Sequence, residues 1–590
     1  MNEEPKSIWK KSWTGWSWLR AWLILVVATF FIVLIVTLLI PGGLRNFSDW
    51  WPALVFMLVV SVVAAVSVGL LAFIRWVCCW RNFKRFLFGV ACLATLIALF
   101  YAEEDWRGWH AWNKFKHDWE AKGEHFDFAS MVPPPVPDDQ NFALTPIAFT
   151  SYGSVLTRDG KRIPYEQRDT NFVERIKMEI AHYDNWPTNG TGNWQKSTVC
   201  DLSVWQNYYR ALAAKTNEFS VPSQPQSPAA DVLFALSKYD SVIEELREAS
   251  RLPGSRFPLN YDSESPSAIL LPHLAALKKC SQTLQLRSLA ELQNGQPEKA
   301  LADVKLALQL TDKIHTEPFW ISHLVRIAMM NLMLQPVWEG LAEHQWSEEQ
   351  LVALDVELAK LDFLADYKLS MRSELGCQGS EMDRLRRHPE QMQDLGGMSD
   401  GEGGVMNQLL PGKFAARLIP TGWFYQNQFR CARMMVDYYL PLADENQSTF
   451  PPALARRGDA AVMAEIKTAS PFNVLERLML PGLGNGVKRF AYAQSSVDLA
   501  RTAIALERYR LAHGDYPESL DALAPQFIAK LPHDIINGQP LHYRRTDNGQ
   551  FVLYSVGWNE TDDGGEVGFK KDGSVDISTG DWVWRYPQKN

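Results

Sequence analysis

Before Glu103 the chain carries three uncharged apolar runs that a soluble core has no way to absorb. Ala21 to Ile40 ends at Pro41-Gly42-Gly43, Pro52 to Ile74 follows, and Phe86 to Ala102 is a shorter third. At about 1.5 Å of rise per residue, runs of this kind match a hydrocarbon core roughly 30 Å thick. Three N-terminal transmembrane helices are therefore expected in residues 1–102. Tyr101 and the preceding Lys84 and Arg85 extend the third by snorkelling. The first run is too long for the apolar region of a signal peptide and lacks a small-residue cleavage site.

Basic residues stay on the cytoplasmic side of a membrane. Lys6, Lys10, Lys11 and Arg20 flank the first run, and Arg75, Arg81, Lys84 and Arg85 separate the second from the third. The intervening loop offers only Arg45 against Asp49. A cytoplasmic N-terminus and three crossings place residues 103–590 on the far side. Tryptophans gather at the expected interfaces, such as Trp50 and Trp51, or Trp76 and Trp80, where amphipathic rings belong. No charge lies inside a run, which disfavours an ion path or proton relay.

At 590 residues the chain exceeds one hydrophobic core, so a membrane part plus two or more folded units is expected. A net charge of -8 without a Lys/Arg cluster argues against nucleic acid as a partner. Cys200, Cys280, Cys377 and Cys431 are too widely spaced for a metal site. They are either buried thiols or, in an oxidising compartment, up to two disulfides.

Residues 103–228 read as a juxtamembrane and linker region. Trp106, Trp109, Trp112, Phe115 and Trp119 form an aromatic stripe at helical spacing, suited either to a membrane surface or to packing on the protein's own domain. The segment Met131-Val-Pro-Pro-Pro-Val-Pro-Asp-Asp139 reads as a stiff extended spacer. From 229 to 486 a 3.6-residue period dominates and predicts a helical extracytoplasmic domain. Within it, Leu289-Ala-Glu-Leu-Gln-Asn-Gly-Gln-Pro-Glu-Lys-Ala300 resembles one tetratricopeptide hairpin, and no second copy follows. This block, with Glu317-Pro-Phe-Trp-Ile-Ser-His-Leu-Val-Arg-Ile-Ala328, is similar to bacterial membrane-anchored proteins to which no function is attached.

Residues 487–590 read as an α+β module, a long helix to His513 capped by Gly514, then a β-hairpin around Asp547-Asn-Gly549. The stretches Ala505-Leu-Glu-Arg-Tyr-Arg-Leu-Ala-His-Gly-Asp-Tyr-Pro517, Leu531-Pro-His-Asp534 and Phe551-Val-Leu-Tyr-Ser-Val-Gly557 resemble the globular domain of the type II secretion major pseudopilin. Arg489, Asp498, Arg501, Glu507 and Arg508 on the helix depart from a filament-packing pseudopilin helix, so the likeness implies a fold rather than a filament subunit. It also implies calcium in the acidic loop, held by Asn559, Asp562, Asp563 and Asp581; the alternative is a solvated acidic turn.

No catalytic residue emerges. Gly397-Met-Ser-Asp-Gly401 matches the nucleophile-elbow pattern without a strand before it. Gly482-Leu-Gly-Asn-Gly486 with Lys488 lacks phosphate-loop spacing. The expectation is a mainly α protein of the bacterial inner membrane, its N-terminus cytoplasmic and residues 103–590 periplasmic. It would act as a non-enzymatic binding or scaffolding protein for envelope components. The alternatives are an accessory part of a secretion or pilus-like system, and an envelope hydrolase with its site in the helical domain.

Overall fold

A computed structural model describes residues 20–587, except 21, 25, 29, 33–34, 36–49, 79, 150–153, 157–161, 165–177, 182–186, 188–189, 393–411, 444–447, 469 and 481–482. The chain divides into two compact units, Met1–Glu103 and Glu104–Asn590. In the first, α1 covers Trp50–Val77 and α2 begins at Trp80, running as one helix to Glu120. Among the described residues one helix, α2, is long and apolar enough to cross a membrane, where three were expected. The apolar stretches Trp22–Ile32 and Val59–Leu71 are shorter than such a crossing needs, and much of the run from Ala21 to Ile40 lies outside the described residues. Leu93, Leu96 and Leu99 of α2 stand 58–64% exposed, an apolar surface that water does not favour.

The second unit is mainly helical. Its helices of more than one turn are α3 (Leu202–Ala213), α4 (Pro228–Leu236), α5 (Asp240–Ser250), α6 (Pro272–Gln293), α7 (Pro297–Asp312), α8 (Trp320–Ala342), α9 (Glu348–Leu358), α10 (Phe363–Arg387), α11 (Thr421–Met434), α12 (Pro452–Ile466), α13 (Val474–Met479) and α14 (Leu483–His513). Local chemistry sets several starts. Ser227 caps α4, Ser347 and Gln350 form a capping box on α9, and Asp362 accepts from two amides of α10. Gly295, at φ +70°, turns α6 into α7, because left-handed backbone suits a residue without Cβ.

The helix α14 sits at the centre. It packs against α8, α9 and α10 on one side and against strands on the other. Val487, Phe490, Ala491, Val497, Ala500 and Leu506 are all buried. The strands are β3 (His542–Arg545), β4 (Phe551–Ser555) and β7 (Trp582–Arg585), in antiparallel order β3-β4-β7, beside the pair β5 (Val567–Phe569) and β6 (Val575–Gly580). Tyr543 faces Leu553 in the expected hairpin, and Gly549 turns it at φ +74°. A two-strand ribbon, β1 (Ser154–Leu156) and β2 (Arg162–Pro164), lies apart from this sheet. One core joins helices and sheet: Trp194 lies 5.3 Å from Trp584, and Tyr492 meets Trp582 edge-on at 5.2 Å.

The proline segment is no free spacer, since Pro133 accepts a hydrogen bond from Arg256 at 2.9 Å and Val136 fills the space beside Gly254. The aromatic stripe divides. Trp112 is buried against Phe126, and Phe115 and Trp119 pack on the core, whereas Trp106 and Trp109 are 64% and 50% exposed. The four cysteines of this unit are free thiols, each buried.

Candidate functional site

Glu104 opens the second unit two residues after Ala102, and α11 is tied to it. Trp423 Nε1 and Gln426 Nε2 each donate to Glu104 Oε2 at 3.1 Å, and Arg107 donates to Oε1 at 2.7 Å. The Gly422 amide donates to Asp105 at 2.6 Å. A Cβ on Gly422 would stand 1.9 Å from the Glu104 carbonyl oxygen, so the approach of α2 and α11 requires glycine there.

Beside this junction α11 walls a cavity of about 320 Å³. Met392, Ile419, Trp423, Phe424, Val474 and Leu475 give it an apolar surface. Asn427 holds the two sides together. Its amide nitrogen donates to the carbonyls of Trp423 and Pro471 at 2.8 Å, and its oxygen accepts from the Leu475 amide at 3.0 Å. Phe472 is edge-on to Trp423 at 5.6 Å, with the Arg107 guanidinium 5.7 Å from its ring centre. Arg477 is the charged side chain of the lining, and Ser470 brings its hydroxyl without an imidazole or carboxylate lining beside it. Such a pocket selects apolar matter by exclusion of water.

Elsewhere the unit holds buried ionic clusters. Glu317 Oε1 is 2.6 Å from His273 Nε2, and its Oε2 accepts from the Ser322 hydroxyl at 2.5 Å. His323 Nε2 contacts the Glu317 carbonyl at 2.8 Å, and Arg326 pairs with Asp366. Burial alone would raise Asp366, but Arg326 and His323 hold it below the usual carboxylate range. Serine, histidine and acid thus meet, yet in the wrong order for hydrolysis: the hydroxyl donates to the carboxylate, and the imidazole lies on the carboxylate's other oxygen. Ser322 and His273 are also fully buried. In the α6–α7 hairpin, burial and Asp303 push Glu291 up to about 8, with Arg287 and Arg247 opposing. Glu339, raised by burial to about 7, accepts from the Cys200 amide and from Gln335 and ties the 198–200 strand of loop to α8. Sequence reasoning singled out the Glu317–Ala328 phrase without its partners, because His273 and Asp366 stand 44 and 40 residues from their contacts Glu317 and Arg326. It missed the pocket, whose signal was the cluster Ile419-Pro-Thr-Gly-Trp-Phe424 alone.

The four acidic-loop residues come to one turn. Asp581 spends both oxygens on backbone, accepting from Gly565 at 2.6 Å and Asp563 at 3.2 Å. Asp562 accepts from the Gly564 amide at 2.9 Å and from Tyr554 at 3.0 Å, and the Gly564 bond holds its carboxyl low. Asn559 donates to Asp563 at 2.8 Å. Among the described residues no group of three or more His, Cys, Asp and Glu is arranged to hold a metal ion. The Gly397–Gly401 pattern lies outside the described residues. The glycines before Lys488 serve packing: a Cβ on Gly486 would meet the Trp320 indole at 1.9 Å, and Lys488 donates to Ser578 at 2.9 Å.

Comparison with protein-family models, with curated proteins and with solved structures finds no match for the chain.

Proposed function

We propose that the protein is a membrane-anchored, non-enzymatic binding or scaffolding protein of a bacterial envelope, with its N-terminus cytoplasmic and residues 103–590 periplasmic. The observation that carries this reading is the pocket between Ile419 and Arg477. It is apolar, its wall residue Trp423 is hydrogen-bonded to Glu104 just after the apolar part of α2, and its described lining suits a bound apolar group. The charge bias around the apolar runs supports the orientation. The resemblance of residues 505–557 to a pseudopilin supports an envelope or secretion component as partner.

The test is in-cell photocrosslinking of the full-length chain from two exposed positions, Phe414 near the pocket and Phe569 on β5. Reproducible capture of an envelope protein from either position is expected. Capture of secretion or pilus subunits from Phe569 makes the protein an accessory of that machinery. Absence of any reproducible partner from both positions overturns the scaffold reading.

A further inference from the structure

The pocket lies close along the chain to the one described helix fit to enter a bilayer. Trp423, which walls it, is hydrogen-bonded to Glu104, and Glu104 lies two residues, or about 3 Å of helical rise, beyond Ala102. Trp106 and Trp109 stand exposed on the next turns of α2, as rings at a membrane–water boundary do. Phe414 and Leu418, 79% and 57% exposed, precede Ile419 of the lining. Exposed aromatic and aliphatic side chains thus precede the lining along the chain, and hydrocarbon suits the apolar lining itself. Arg477 in the lining supplies positive charge, and among the described residues no carboxylate lies within ion-pair distance of it. Arg107, over Phe472, is already paired with Glu104, so Arg477 is the guanidinium of the lining. Guanidinium groups suit phosphate oxygens, to which they donate in pairs.

We infer that this pocket takes one acyl chain of a membrane phospholipid, with the headgroup phosphate held at Arg477. This rests on the reading that the apolar part of α2 enters a membrane, and it adds to that reading a ligand and a place for it. The occupant is hydrocarbon because seven of the described lining residues, Pro471 included, are apolar and Asn427 has its amide committed to backbone. It is a phospholipid because the one charge among the described lining residues is cationic and complements a phosphate.

The experiment uses the full-length protein in vesicles of phosphatidylethanolamine and phosphatidylglycerol. The phosphatidylglycerol carries a photoactivatable diazirine at the end of one acyl chain, and adducts are mapped by mass spectrometry after irradiation. Adducts are expected on residues 419–427 and 470–477, together with adducts on 86–102. Ser470→Trp, which places an indole in the cavity, is expected to abolish the first set and keep the second. Arg477→Ala, with the cavity intact, is expected to reduce the first set for the anionic lipid. A parallel arm with photoactivatable palmitate tests the source, and labelling of the pocket by palmitate alone overturns the phospholipid assignment. Adducts confined to 86–102 overturn the pocket assignment and leave the anchor standing. Absence of adducts at 86–102 overturns the anchor reading itself.

Discussion

Glu476 is fully buried on α13, and neither of its carboxylate oxygens has a hydrogen-bond partner. Burial pushes it from an ordinary 4.5 up to about 7, against the opposing pull of Arg430 and Arg433. The fold therefore favours the protonated acid. Its contribution to stability is fully present below about pH 4.5 and is lost as pH rises through 7, and at about 1.4 kcal/mol per unit the loss is on the order of 3 kcal/mol. Glu476→Gln is expected to remove that slope and to raise the urea midpoint of the detergent-solubilised protein at pH 8 while leaving it unchanged at pH 4. A midpoint lowered at both values would show that the carboxylate is paired. Glu317 makes the opposite case, because His273 and Ser322 both bond to it in a dry interior. Glu317→Ala is expected to cost roughly 3 kcal/mol, read in the same titration. At the acidic loop, Asp581→Asn is expected to lower stability by about 2 kcal/mol, since each Asp581 oxygen accepts from one backbone N–H and the asparagine NH2 group cannot accept in place of one of them. Calcium is expected to leave the urea midpoint where it was, and a rise on adding calcium, lost in Asp562→Asn, would instead support Asn559, Asp562, Asp563 and Asp581 as its ligands.

Helices with a strong period were legible as such. The α6–α7 hairpin, α9 with its capping box and α10 follow from apolar spacing and cap residues within a few positions of one another. The β3–β4 hairpin follows from Asn548-Gly549 between alternating segments. In contrast α12 was not legible, because Arg456, Arg457 and Asp459 interrupt it and only Pro452, Ala455, Gly458 and Val462 are buried. The aromatic stripe of α2 showed which residues share a face and left open what covers each, and the structure answers differently for Trp106 and Trp112. The crossing of α2 and α11 was invisible for another reason. Glycine in a helix reads as a weak point, whereas Gly108 and Gly422 face each other, and a Cβ on Gly108 would lie 2.2 Å from the Gly422 carbonyl oxygen. Gly108→Ala and Gly422→Ala are each expected to cost about 3 kcal/mol or to lose the folded protein on expression. Gly89→Ala, on the same helix with nothing within 4 Å, serves as the control and is expected to be neutral. Equal behaviour of the three variants, scored by folded yield, would mean that the two helices do not meet there.

For the whole molecule, the sequence suggested four segments, with a C-terminal module beginning at 487. That position falls inside α14, whose residues pack on both the helices and the strands. Composition separates the apolar N-terminal part from the rest, which is of ordinary mixed polarity. It does not separate the soluble segments from one another, since all of them bury residues in one core. Limited proteolysis of the full-length protein is therefore expected to yield no stable fragment ending near residue 485, and a chain stopped at Asn485 is expected to be insoluble. A stable fragment with that boundary would divide the unit after all.

The central place of α14 also sets an order of events during synthesis. Residues 229–387 are made early, but the faces of α8, α9 and α10 that α14 covers have nothing to close on until Leu483–His513 has emerged. At roughly 5–20 residues per second the sheet that seals the far side of α14 is complete several seconds later still. Through that interval the growing chain displays apolar helix faces. A holding chaperone is therefore expected to engage the growing chain before Leu483–His513 has emerged, and slowing translation ahead of residue 483 is expected to lengthen its exposure to proteases rather than help it fold.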